Sequence, residues 1–173
     1  IKSAQKKCDE AGVANRPHIK THKSSHLAKL QLDFGARGIT CQKIGEAEVM
    51  VDAGITDIIV ATNVIGAARS GRLSRLLKRA PVRCCADSSH TLKLYSMAAE
   101  EALRPLDVLI ECDTGLERAG VETPYEAFEL VKIIKSDPWL EFAGLLLYPP
   151  VDCWRTTQVF LDEAVRRISL LGL

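Results

Sequence analysis

The chain has 173 residues, 47% of them hydrophobic, and its 23 Lys and Arg against 22 Asp and Glu give a formal net charge of +1. That length supports one domain with a substantial core, and the near-neutral balance argues against a nucleic-acid partner or an acidic tail. No apolar run reaches membrane-spanning length and no signal-peptide pattern opens the chain, so no membrane partner is expected.

The six cysteines (Cys8, Cys41, Cys84, Cys85, Cys112 and Cys153) form no Cys-x-x-Cys pair, and several lie in strand-like runs. They read as buried reduced thiols, which makes a cytoplasmic location the expectation. The chain opens at Ile1 inside a polar helical pattern and stops at Leu173 straight after a helical run. It is expected to be part of a longer polypeptide.

In chain order, a polar helix leads to a strand predicted over His18–Thr21. A helix follows with Leu27, Leu30 and Phe34 on one face. A strand over Gly38–Gln42 precedes a helix with Ile44, Ala47 and Val51 in register, and a strand over Asp57–Thr62 precedes one marked by Leu73, Leu76 and Leu77. Arg72, Arg75 and Arg79 on the opposite side of that helix read as a solvated face. Further strands are predicted over Val82–Asp87, Asp107–Asp113 and Phe142–Tyr148. Thr123-Pro124-Tyr125-Glu126 is a capping box with proline at the first helical position; it opens a helix carrying Ala127, Leu130, Val131 and Ile134. Gly35 and Gly54 stand where helices should end. A last helix is predicted from about Thr156 to Leu171, with Phe160, Ala164 and Ile168 on one stripe.

Ile58-Ile59-Val60, Val108-Leu109-Ile110 and Leu145-Leu146-Leu147 are continuously apolar, as parallel strands covered on both faces should be. Six βα units predict a parallel sheet, doubly wound or part of a (β/α)8 (TIM) barrel. No Gly-x-Gly-x-x-Gly follows a strand and no Walker loop exists, which weakens the doubly wound reading. Polar residues gather instead at the C-terminal ends of strands: Lys20, Gln42, Thr62-Asn63, Asp87, Asp113 and Tyr148. A parallel barrel places its active site there. With about six strands, the domain over residues 1–173 is expected to be a partial barrel, inactive by itself.

Chemistry concentrates in Arg16-Pro17-His18-Ile19-Lys20-Thr21-His22-Lys23. Strand alternation sends His18 and Lys20 to one side. A desolvated lysine among other cations loses its proton more easily, which makes Lys20 a candidate Schiff-base amine. Taken alone, the segment reads first as a solvated basic loop at a strand end. A second segment, Glu111-Cys112-Asp113-Thr114-Gly115-Leu116-Glu117-Arg118-Ala119-Gly120, ends a strand in a turn and brings an arginine near the barrel mouth. Asp113 there either orients Arg118 or caps the turn. His22 and His26 complete no metal-ligand set.

Arg16–Lys23 resembles the pyridoxal-phosphate lysine motif of the D-threonine aldolase and D-serine dehydratase family. Gly38–Glu48 is similar to that family's next strand and helix, and Asp113–Gly120 resembles the Asp-Thr-Gly-x-x-Arg-x-Gly signature shared with alanine racemase. Phe142–Leu145, ending at Tyr148, is similar to a later barrel strand.

The resemblance implies a fold type III barrel of the alanine racemase N-terminal type. Pyridoxal 5'-phosphate would be held on Lys20 as an internal aldimine. Arg118 would bond the cofactor's phenolic oxygen, Tyr148 would pack against its ring, and His18 and Gln42 would line the pocket. Two departures stand out. Glu111 occupies the place of a modified lysine in the racemases, which favours the aldolase and dehydratase branch. Tyr148-Pro149-Pro150 lacks the histidine that often follows this tyrosine in aldolases.

The implied activity is a lyase acting on a D-3-hydroxy amino acid, by aldol cleavage or dehydration. The family also implies a homodimer, with a phosphate cradle, a C-terminal β-domain and a divalent metal (Zn or Mn) whose ligands lie outside this chain. An amino-acid racemase, a non-catalytic pyridoxal-phosphate homeostasis protein and an unrelated phosphate-binding barrel enzyme remain the alternatives.

Overall fold

The computed structural model describes residues 1–173. Helices α1 (Lys2–Glu10) and α2 (Ser25–Asp33) precede an alternating series: β1 (Ile39–Cys41), α3 (Ile44–Asp52), β2 (Ile58–Val60), α4 (Ala67–Leu77), β3 (Val82–Ala86) and α5 (Ser89–Ala102). It continues through β4 (Leu106–Cys112), α6 (Pro124–Ser136), β5 (Leu140–Leu147) and α7 (Trp154–Ser169). The five strands form one parallel sheet in the order β1-β2-β3-β4-β5. Strictly sequential order has no switch point, so the sheet is that of an incomplete (β/α)8 barrel and not a doubly wound fold.

Pairing register sorts the strand residues into two faces. Cys41, Val60, Cys84, Val108 and Phe142 lie side by side. They join α3–α7 residues such as Met50, Leu73, Tyr95, Val131 and Ala164 in the main core. On the opposite, concave face Ile59, Cys85 and Leu109 form a small separate apolar cluster backed by Leu146.

At the N-terminal edge of this concave face the layer is ionic. Arg16 lies 2.9 Å from Asp57, Arg83 2.7 Å from Asp57, and Arg83 3.3 Å from Asp107. Gly38 makes room for this ladder: a Cβ there would stand 2.2 Å from the Arg16 guanidinium and 2.6 Å from the Asp57 carbonyl oxygen.

Most local expectations match. The capping box at Thr123 and Glu126 is formed in both directions, and Ala127, Leu130, Val131 and Ile134 are buried. Phe160, Ala164 and Ile168 seat α7. Gly35 and Gly54 follow α2 and α3 with positive φ. All six cysteines are free, and Cys41, Cys84, Cys85 and Cys112 are buried.

Two expectations do not match. The strand predicted over His18–Thr21 shrinks to a single bridge between His18 and Thr40, after which the chain turns. Pro17 has no N–H for a ladder and the following residues fold back, with the N–H groups of His22 and Lys23 both donating to the Ile19 carbonyl. Helix α2 presents Ala28 to the core, leaving Leu27 exposed and Leu30 and Phe34 only half-buried. Ala28 is the one α2 residue enclosed by the core. Arg72, Arg75 and Arg79 keep to the solvent side as expected, where Arg72 pairs with Glu48 and Arg79 with Asp52 across to α3.

Tyr95 is fully buried, and its hydroxyl donates to the Cys85 carbonyl at 2.7 Å while accepting the Val64 N–H at 3.1 Å. It ties α5 to β3 and to the segment after β2. Tyr95→Phe strands one buried donor and one buried acceptor. It should destabilise the protein by about 1–3 kcal/mol in urea unfolding, more than removal of an exposed hydroxyl.

Candidate active site

The concave face opens at the C-terminal ends of the strands into a cavity of about 550 Å³. His18, Lys20, Gln42, Arg118 and Tyr148 all line it, together with Asn63 and Glu111. Sequence reasoning brought the first five forward as a set, and the fold gathers them around one space.

Lys20 reaches the cavity by way of a short anchor. The Ile19 N–H donates to the Thr40 carbonyl at 2.8 Å and the Thr40 N–H to the Pro17 carbonyl at 2.9 Å, with Ile19 fully buried. The turn that follows lifts Lys20 above the sheet, so it is exposed and not desolvated as expected. His18 Nδ1 accepts the Lys20 N–H at 3.3 Å. Burial first, and then the Lys20 ammonium, hold the His18 imidazole below its usual range, so it is neutral at neutral pH.

The expected pool of surrounding positive charge is largely compensated. Arg16 is paired with Asp57, and Lys23 with Glu46 at 3.0 Å. Lys20 and Arg118 are left without a carboxylate partner, and both face the cavity.

Arg118 rides on a loop built by Asp113. The Asp113 carboxylate accepts the N–H groups of Gly115 at 2.8 Å, Leu116 at 2.7 Å and Arg118 at 2.6 Å. Of the two roles open to Asp113, the turn-capping one is formed. Gly120 closes the loop at φ +109°, where a Cβ would meet the Asp113 nitrogen at 2.7 Å. Thr114 is tied to Thr157 of α7 by a buried hydroxyl pair at 3.0 Å. The Arg118 guanidinium lies 5.9 Å from the centre of the Tyr148 ring, a cation–π contact in reach.

Glu111 is the acid that sequence reasoning had noted only as a departure. Burial first, and then the Asp87 charge, push its carboxyl above the usual range, against the pull of Arg118. Asn63 adds a buried side-chain oxygen with no hydrogen-bond partner at the cavity wall. Their signal was period-2 alternation: Asp107-Leu109-Glu111 and Ile59-Ala61-Asn63 run up the concave face. The buried Cys41 and Cys112 thiols are pushed up to about 12, chiefly by burial, and remain protonated. They are not nucleophiles. No group of three or more His, Cys, Asp and Glu side chains converges as a metal site would require.

Comparison with known proteins agrees with this architecture. The family model for the alanine racemase N-terminal domain matches residues 1–164. The chain belongs to the alanine racemase N-terminal domain family. It is 39% identical over 148 residues to a D-threonine aldolase of Arthrobacter sp, an alignment covering 86% of this chain and 39% of that protein. The crystal structure of D-threonine aldolase from Filomicrobium marinum superposes with a TM-score of 0.95 at 31% identity, over 99% of this chain and 49% of that one. D-threo-3-hydroxyaspartate dehydratase from Delftia sp. HT23 superposes with a TM-score of 0.87 at 25% identity, over 99% of this chain and 48% of that one. The chain thus spans less than half the length of these relatives.

The Asp113 loop gives a pH prediction. The Arg118 N–H above all, helped by those of Gly115 and Leu116, holds the Asp113 carboxyl below its usual range. A carboxylate with a depressed value supports the fold above the ordinary carboxylate range, about pH 4, and ceases to as pH falls through the depressed value. Amide protection at Gly115, Leu116 and Arg118 should therefore persist below about pH 4 and collapse only in stronger acid. Asp113→Ala should abolish that protection at neutral pH, read by hydrogen exchange.

Proposed function

We propose that this chain carries the cofactor-binding part of a pyridoxal-phosphate-dependent lyase of the D-threonine aldolase or dehydratase type, acting on a D-3-hydroxy amino acid, with Lys20 holding the cofactor. The observation that carries the reading is the pair Lys20 and Arg118: two cations with no protein carboxylate as partner, facing one cavity. A small anionic aldehyde fits that arrangement. Lys20 offers an accessible amine, Arg118 a donor to an anionic ring oxygen, and Asn63 an unspent acceptor. The names of the similar proteins support the lyase class and both of its outcomes.

Bound there, pyridoxal phosphate would supply the electron sink for charge released at the substrate's Cα. The residues of this chain would do the rest. Lys20 Nζ, facing the same cavity, would move a proton at Cα. Arg118 would hold the ring oxygen, with the Tyr148 ring 5.9 Å from its guanidinium. Neutral His18 sits beside Lys20 without adding charge. Glu111, its carboxyl held above its usual range by burial and the Asp87 charge, stands at the cavity wall.

In aldol cleavage the C3 hydroxyl loses its proton, the Cα–C3 bond breaks with its electron pair left at Cα, and Cα takes up a proton, giving glycine and an aldehyde. In dehydration the Cα proton and the C3 hydroxyl leave as water, and the resulting enamine hydrolyses to a 2-oxo acid and ammonia. A base at the C3 hydroxyl would serve the first route, helped by a divalent metal. Loss of the Cα proton to Lys20 would serve the second.

The test is an absorbance spectrum with pyridoxal phosphate, before and after borohydride, beside Lys20→Ala. The expected result is a band that reduction fixes onto the Lys20 peptide and that the variant lacks. No band, or one the variant keeps, overturns the assignment. Assays of the full-length protein with D-threonine and D-serine, with and without added divalent metal, should then give glycine plus aldehyde or 2-oxo acid plus ammonia. A trapped Lys20 with only L/D interconversion would make the protein a racemase, and one with no turnover a cofactor-binding protein.

A further inference from the structure

We propose that Glu46 is a positioning residue for Lys20: its buried carboxylate grips the end of β1 with one oxygen and the far side of the Lys20 turn with the other. The functional consequence rests on the reading of Lys20 as the cofactor lysine; the clamp itself is a matter of geometry.

Glu46 lies in the first turn of α3 and is only 7% exposed. A carboxylate so enclosed is costly unless its oxygens are engaged. Oε2 accepts the Gln42 N–H at 2.7 Å. Oε1 stands 3.0 Å from Lys23 Nζ and has no well-aligned hydrogen bond, so that oxygen depends on the lysine's charge. Burial opposes ionisation, but the Gln42 N–H and the Lys23 ammonium outweigh it and hold the carboxyl below its usual range.

These contacts close a ring around Lys20. His18 is bridged to Thr40 of β1, two residues before Gln42. His18 Nδ1 accepts the Lys20 N–H. The turn then returns through the Lys23 N–H to the Ile19 carbonyl at 2.8 Å, and Lys23 reaches back to Glu46. Lys23 adopts φ +51°, a left-handed conformation that side-chain-bearing residues seldom take unheld. The turn is thus pinned at its start by β1 and at its end by α3. Lys20 stands between the two pins.

A competing account is that Glu46 merely satisfies the α3 N-terminus. Three variants separate the two. Glu46→Ala removes both grips. Glu46→Gln keeps an acceptor for the Gln42 N–H but sets an uncharged group against Lys23. Lys23→Met breaks the ionic grip alone and leaves α3 intact, so it remains informative if Glu46→Ala does not fold.

The readouts, on the purified protein without cofactor, are amide exchange at residues 19–24 and the rate of reductive methylation at each lysine, followed by peptide mass spectrometry across neutral and alkaline pH. All three variants should raise exchange in the turn by about tenfold and change the Lys20 rate and its pH profile, with distant Lys93 unchanged. The Gln42 amide should stay protected in Glu46→Gln and Lys23→Met and be released in Glu46→Ala. Variants that lower only the melting temperature, with turn exchange and Lys20 labelling as in the wild type, overturn the proposal. Failure of borohydride to trap Lys20 in the wild type, with the turn still loosened in the variants, would overturn the cofactor reading and leave the clamp standing.

Discussion

Five parallel strands in sequential order, with the crossover helices packed on one side, leave a second face of the sheet that those helices do not cover. That uncovered face is the constraint from which the rest follows. Between neighbouring strands the backbone groups satisfy one another, so the side chains that alternate inward carry the burden of making the concave surface stable. They do it in tiers. An ionic ladder of Arg16, Asp57, Arg83 and Asp107 lies at the N-terminal edge. Apolar Ile59, Cys85 and Leu109 fill the middle. Functional polar groups stand at the C-terminal edge. The two guanidinium groups hold the enclosed Asp57 carboxyl below its usual range although burial works against them. The ladder is therefore charged throughout the neutral range and serves as a floor, leaving the upper edge free for chemistry.

The segment bearing Lys20 is joined to this scaffold by unusually little regular structure. One bridge at His18 and a buried Ile19 take the place of a full strand. Arg16 adds a second attachment below, donating to the carbonyls of Ile39 and Asp57 as well as pairing with the Asp57 carboxylate. Lys20 is thereby freed from the pleat and can stand over the cavity. A lysine within a strand would have its stem confined by neighbours on either side. Replacing the strand with a turn gives reach, and transfers the task of fixing that reach to side chains on β1 and α3.

The fold was legible in the sequence to the extent that its elements obey period. The helices of Ala127, Leu130, Val131 and Ile134 and of Phe160, Ala164 and Ile168 were readable because one face packs on one sheet. Apolar runs such as Val108-Leu109-Ile110 marked strands with apolar neighbours on both faces. Helix α2 misled because Leu27, Leu30 and Phe34 keep helical spacing, whereas the residue that joins the core is Ala28. The strand expected at Lys20 misled because its alternation was sound but its ladder was not: Pro17 and the Ile19 turn end pairing after one residue. The site residues were legible as strand-end polar groups. Glu46 and the ladder were not, because a carboxylate on a helix or at a strand start is normally solvent-facing, and only tertiary placement distinguishes the buried one.

Charge pairing sorts the cations of this region in a way that composition cannot. The peptide Arg16–Lys23 is dense in positive charge, and a reading from sequence assigns all of it to a common electropositive field. In the folded chain Arg16 and Lys23 are each tied to a carboxylate that does structural work, and His18 is held neutral. The field left over is that of Lys20 and of Arg118, which arrives from a distant part of the chain on a loop stiffened by Asp113. An anion entering the cavity would thus meet two cations and would not have to displace a protein carboxylate from either. Desolvation favours this division: an ion pair already formed offers little to a ligand, whereas an unpaired cation beside a cavity gains when an anion binds. The neutralised cations hold the site in shape, and the unneutralised ones remain available to the ligand.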